Sequence, residues 1–157
     1  MIPISPHDEP PDSALDARPR SEPYRLLIAD DDRPLLETLA EICEVAFEVV
    51  TASCGREAVE RIECGSVDVA LFDNQMGELT GLEVVRIVRV EFALELPCLL
   101  MTARPDEAVR IEANRLGIAD LLEKPFPRRR LVDSVATAMR QTYGVAEAAA
   151  WFDAERN

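Results

Sequence analysis

Five short apolar runs, each ending in polar or acidic residues, limit this chain to very few architectures. They are "YRLLIA", "FEVVTA", "VDVALF", "LPCLLMTA" and "IADLL". None alternates apolar with polar residues, so none reads as a strand with one wet face. Such runs suit parallel strands covered by helices on both sides. Between them lie segments with helical period. Leu35, Leu39 and Ile42 recur at i, i+4 and i+7 behind Asp32 and Pro34, which suit a first helical turn. "GREAVERIE" is a short helix stopped by Gly65. Pro105, Asp106 and Glu107 open another that Gly117 closes, and Leu131, Val135 and Ala138 mark a last one. Right-handed crossovers then wind the chain into a doubly wound α/β fold.

One segment is ambiguous. "LEVVRIVRVEFA" is rich in β-branched residues, as strands are, but Glu83, Arg86 and Arg89 recur every third residue. Period outranks propensity, and a helix is expected.

The chain has 157 residues, enough for one domain with a real core. Residues 1–23 hold six of the eleven prolines and five acids, and are expected to form a disordered tail. The ordered domain is expected over 24–141, and a helical C-terminal tail over 142–157. In that tail Val145, Ala148, Ala149 and Phe152 share a helical face, with Trp151 beside it. Two readings stay open: an extra helix packed on its own domain, or a segment that docks a partner or forms a homodimer.

The net charge of −13 disfavours nucleic acid and anionic membrane as partners. No apolar run approaches a membrane span and no signal peptide is evident, so a cytoplasmic location is expected. Cys43, Cys54, Cys64 and Cys98 lack Cys-x-x-Cys spacing, and the single histidine, His7, lies in the Pro-rich tail. A zinc site and His-dependent nucleophilic catalysis are therefore disfavoured.

The ends of the predicted strands carry the chemistry. Strand one ends in Asp30 and Asp31, strand three in Asp73, strand four in Thr102-Ala103, and strand five in Lys124-Pro125. In a doubly wound sheet these four strands are neighbours, so their ends share one rim. Two unit charges ~4 Å apart cost about 4 kcal/mol at an effective dielectric near 20. Lys124 offsets part of that repulsion. A divalent cation can offset the rest, and an all-oxygen ligand set favours Mg²⁺. A carboxylate beside a metal, a lysine and a hydroxyl has the surroundings of a nucleophile for phosphoryl transfer.

"LLIADDD", "LFDNQMGELTGLEVV", "LLMTA" and "EKPF" together resemble the motif set of the receiver domain of two-component response regulators. The resemblance runs from about Tyr24 to about Gln141 and implies a flavodoxin-like fold of strand order 2-1-3-4-5. It implies Asp73 as phospho-acceptor, Asp31 as direct metal ligand, and Asp30 as an acid acting through water. Gln75 takes the position whose backbone carbonyl ligates Mg²⁺. Thr102 resembles the hydroxyl that swings toward the phosphoryl group, and Lys124 the lysine that pairs with its oxygens. Ala103 leaves room for access, and a cis bond is implied before Pro125. The chain departs from the family where Gly77 replaces a usual proline and where Leu121 stands at the aromatic switch position. Gln75 and Arg104 occupy the two variable positions that tune phosphoryl lifetime.

Blander readings accompany these. Asp30 to Asp32 also suit helix capping, and Arg128 to Arg130 suit either a solvated helix start or a partner patch. The expected function is a stand-alone receiver, phosphorylated on Asp73 by a histidine kinase or histidine phosphotransfer protein. It would signal to a downstream protein through altered contacts, and would catalyse only its own phosphoryl transfer and dephosphorylation. A phosphate relay or sink, and a degenerate receiver acting as a fixed binding module, are the alternatives. A phosphatase-like hydrolase is disfavoured, because Gln75 stands where its general acid would be.

Overall fold

A computed structural model of the protein describes residues 22–153. Most of the expected N-terminal tail, His7 included, and the last four residues lie outside that range. The elements are β1 (Arg25–Ala29), α1 (Arg33–Glu44), β2 (Glu48–Ala52), α2 (Gly55–Glu63) and β3 (Val69–Asp73). They continue with α3 (Gly81–Arg86), β4 (Cys98–Thr102), α4 (Glu107–Arg115), β5 (Asp120–Glu123), α5 (Arg128–Tyr143) and α6 (Ala148–Trp151). The five strands form one parallel sheet of order β2-β1-β3-β4-β5.

The non-alternating apolar runs follow from that architecture. Successive side chains of β1 enter opposite layers. Leu26 and Ile28 pack with Leu36 and Leu39 of α1 and with Leu131 and Val135 of α5. Leu27 and Ala29 pack with Ala58 and Ile62 of α2 and with Val84 and Val85 of α3. The central strands β3 and β4 are buried along their whole length. Asp32 caps α1 and Asp106 caps α4, each carboxylate accepting an N–H of the first turn.

The ambiguous valine-rich segment is helical, but not uniformly so. After α3 the chain continues through a wide turn, Ile87–Glu91, in which the Phe92 N–H donates to the Ile87 carbonyl 3.1 Å away. That is an i→i+5 bond. Arg89 fixes the end of the turn by donating to the carbonyls of Leu94, Leu96 and Leu116 at 3.0, 2.6 and 3.1 Å.

Gly144, at φ +69°, ends α5, and the chain folds back on its own domain. Val145, Ala148 and Phe152 join the α1–α5 layer. Ala149, expected on the same face, is exposed, because α6 is a single turn. Trp151 stacks on Tyr24 with centroids 5.8 Å apart and meets Phe47 edge-on at 5.9 Å. The tail is thus closed onto the aromatic residues that border β1 and β2.

Candidate functional site

Asp30 follows β1 and is held in the sheet by its N–H, which donates to the Ala52 carbonyl at 3.1 Å. Asp73 is the last residue of β3 and Thr102 the last of β4. Lys124 follows β5 and precedes a cis peptide bond to Pro125. A parallel sheet puts all four at one edge. Asp30, Asp73 and Thr102 are only 1, 5 and 1% exposed, while Asp31 lies in solvent.

Lys124 reaches both buried carboxylates. Its Nζ lies 2.9 Å from Asp30 Oδ2 and 3.1 Å from Asp73 Oδ1. Burial pushes the Asp73 carboxyl above the usual carboxylate range, the charge of Asp30 adds to this, and Lys124 opposes it. Burial disfavours the charged form of Lys124, but its hydrogen bond to Asp30 and the charges of Asp30 and Asp73 outweigh that, and its pKa rises. One ammonium is therefore shared by two carboxylates. Carboxylate oxygens of Asp30, Asp31 and Asp73 lie within 4.8 Å of one another. This all-oxygen set, without His or Cys, is suited to a hard divalent cation.

The three consecutive aspartates divide the two readings between them. Asp32 is the cap of α1, accepting the Leu35 N–H at 3.2 Å. Its own N–H donates to Asp30 Oδ1 at 2.9 Å and so orients that carboxylate. Asp30 and Asp31 face the cleft, and Asp32 lines it as well. This open cleft, about 400 Å³, is lined by Asp31, Asp73, Gln75, Gly77, Ala103 and Lys124 among others. Thr102 Oγ1 accepts the Arg104 N–H at 3.1 Å, which leaves its hydroxyl proton free to be donated. Gly77 sits at φ +80°, a conformation proline cannot adopt.

Two residues near the site escaped the sequence reading. Gly81 opens α3 against Asp73, and a Cβ there would lie 2.7 Å from the Asp73 carbonyl oxygen. Asn74, next to the acceptor, binds the same helix start. Nothing local distinguishes either residue from ordinary loop chemistry. Leu121 is half-buried against the α2–α3 layer. The arginine run is divided: Arg130 forks onto Asp120, Arg128 donates to the Phe152 carbonyl at 3.2 Å, and Arg129 is exposed.

Residues 26–136 match the response regulator receiver domain family. The chain belongs to that family. This receiver is 32% identical over 120 residues to the transcriptional regulatory protein CpxR of Escherichia coli, a match covering 76% of this chain and 50% of CpxR. It is 35% identical over 132 residues to the response regulator MprA of Mycolicibacterium vanbaalenii, covering 82% of this chain and 57% of MprA. The receiver thus spans about half the length of these relatives. Its fold matches the crystal structure of the Vibrio cholerae chemotaxis protein CheY4 with a TM-score of 0.67 at 27% identity, over 72% of this chain and 96% of that one. Among the described residues, no helix of the receiver is long and apolar enough to cross a membrane.

Proposed function

We propose that this receiver accepts a phosphoryl group on Asp73 from a histidine kinase or histidine phosphotransfer protein, and signals through altered protein–protein contacts in the cytoplasm. The observation that carries this is the Asp73 carboxylate itself. It is buried at a strand end yet borders an open acidic cleft, with Lys124 Nζ 3.1 Å away. The positions support the following roles. Asp73 is the nucleophile: one of its oxygens forms a bond to phosphorus as the bond to the donor's imidazole breaks. Lys124, already paired with Asp73, stabilises the charge of the incoming phosphoryl oxygens. Thr102 donates its free hydroxyl proton to one of those oxygens. Ala103, exposed and small, leaves the approach open.

Asp31 and Asp73 would hold Mg²⁺ directly, Asp30 through water, and the Gln75 backbone carbonyl would complete the protein's share of the ligands. When bound, Mg²⁺ neutralises the clustered carboxylates and the phosphoryl charge. Dephosphorylation is water attack on phosphorus: the Asp73 O–P bond breaks, the carboxylate is restored and inorganic phosphate leaves, so the protein catalyses its own dephosphorylation and no other turnover.

The test is incubation with acetyl phosphate and Mg²⁺. One base-labile phosphoryl group is expected on Asp73, and none in Asp73→Asn. Incorporation that persists elsewhere in the variant, or no incorporation in the wild type from either acetyl phosphate or a histidine kinase, overturns the assignment.

A further inference from the structure

We infer that Asn74 is a positioning residue for phosphoryl transfer: it latches the start of α3 to the main chain that carries Asp73. The inference rests on the reading of Asp73 as phospho-acceptor and deepens it. Besides that of the N-cap, the first three N–H groups of a helix have no partner within the helix. In α3 all three are taken from close by. Thr80, the N-cap, accepts the Glu83 N–H at 3.1 Å. The other two go to one residue outside the helix. The Asn74 carbonyl accepts the Gly81 N–H at 3.4 Å, and Asn74 Oδ1 accepts the Leu82 N–H at 3.2 Å.

Asn74 is also tied to the sheet, since its own N–H donates to the Met101 carbonyl at 2.8 Å. It therefore joins β3, β4 and α3 at the peptide unit immediately after Asp73. The join is tight: at Gly81 a Cβ would meet both the Asp73 carbonyl oxygen and Leu100 Cδ1 at 2.7 Å. The loop closed by this latch carries Gln75 and Gly77 on the cleft, and is held from below by Met76, 3% exposed. Without the side-chain oxygen, the Leu82 N–H turns to water and α3 is free to lift from Asp73. The carboxylate and the Gln75 carbonyl then lose their fixed height in the cleft. An ordinary capping residue stabilises its helix. This one sets where the nucleophile stands.

The experiment uses the full chain with acetyl phosphate at saturating Mg²⁺, and separates the maximal rate of phosphoryl incorporation from the half-saturating donor concentration. Asn74→Ala removes the acceptor, Asn74→Asp keeps it in place, and Asn74→Gln moves it one methylene outward. The maximal rate is expected to fall about tenfold or more in Asn74→Ala and Asn74→Gln, the scale of a sub-ångström misplacement, and to stay within about threefold of wild type in Asn74→Asp. Half-saturation by donor is expected to change little. A wild type that accepts phosphate while Asn74→Ala, with a lowered denaturation midpoint, keeps its full rate overturns the inference and leaves the acceptor assignment intact. Equal slowing of Asn74→Asp and Asn74→Gln also overturns it, and that pair decides the matter if Asn74→Ala does not fold. A wild type that takes no phosphate tests the reading of Asp73 instead.

Discussion

Among the described residues, Lys124 is the one cation paired with Asp30 and Asp73, and Asp31 adds a third carboxylate that pairs with no described residue. A single ammonium therefore balances only part of the negative charge. A cation that binds the folded state alone stabilises it by mass action, by about 2.7 kcal/mol at a hundredfold excess over its Kd. Mg²⁺ is accordingly expected to raise the melting temperature of the wild type. Asp31→Ala removes the exposed carboxylate of the cluster, so most of that rise should vanish. The metal-free variant, relieved of repulsion, should melt no lower than metal-free wild type. Thermal melts with and without Mg²⁺ check both statements, and an unchanged Mg²⁺ response in the variant removes Asp31 from the ligand set.

Between elements, β5 and α5 are joined by charge. Arg130 Nη1 lies 2.6 Å from Asp120 Oδ2, its Nη2 lies 3.1 Å from Oδ1, and the Ser134 hydroxyl donates to the same carboxylate. Burial raises the pKa of Asp120, but the bonds from Arg130 and Ser134 outweigh it, and the carboxyl titrates below its ordinary value of 3.8. A carboxyl depressed in the folded state contributes stability in full above its unfolded pKa, and that contribution is lost as pH falls through the folded one. Asp120→Asn should therefore be less stable than wild type at neutral pH, with the gap closing only below about pH 4. Urea denaturation at a series of pH values measures the gap. A gap that stays constant down to acid pH would show that the charge of Asp120 contributes nothing. The arginine run that reads from sequence as a helix start is, for Arg130, a weld between strand and helix.

At the scale of the whole molecule, the site and the tail are linked through α5. Lys124 leads through Pro125 and Phe126 into the first turn of α5, where Arg128 donates to the Phe152 carbonyl beside Trp151. A phosphoryl group would add charge opposite Lys124, and a shift there is expected to reach the tail through the start of α5. Beryllofluoride with Mg²⁺ is expected to change the fluorescence of Trp151, the only tryptophan, in wild type and to leave Asp73→Asn unaffected. Binding of the mimic with no change at Trp151 would show that the tail is uncoupled from the site.

The number of strands, their parallel pairing and the acidic, hydroxyl and lysine side chains at their ends are legible in the sequence alone. These are consequences of local period. Apolar runs without alternation require cover on both faces, and alternating strands and helices place successive strand ends on one rim. Period also identified the valine-rich segment as a helix. It could not reveal the wide turn at Ile87–Glu91, because that turn is fixed by Arg89 reaching the Leu116 carbonyl 27 residues away. Nor could it separate Asp32, a cap, from Asp30, a site carboxylate, since the difference lies in the Lys124 bond 94 residues further on. Asn74 and Gly81 read as loop residues until α3 is seen pressed against Asp73. The described part of the tail packs on Tyr24 and Phe47, to which Trp151 is brought by the turn at Gly144. Local pattern determines which element a residue belongs to. Which partners it meets depends on chain closure between distant segments, and that information exists only in the folded molecule.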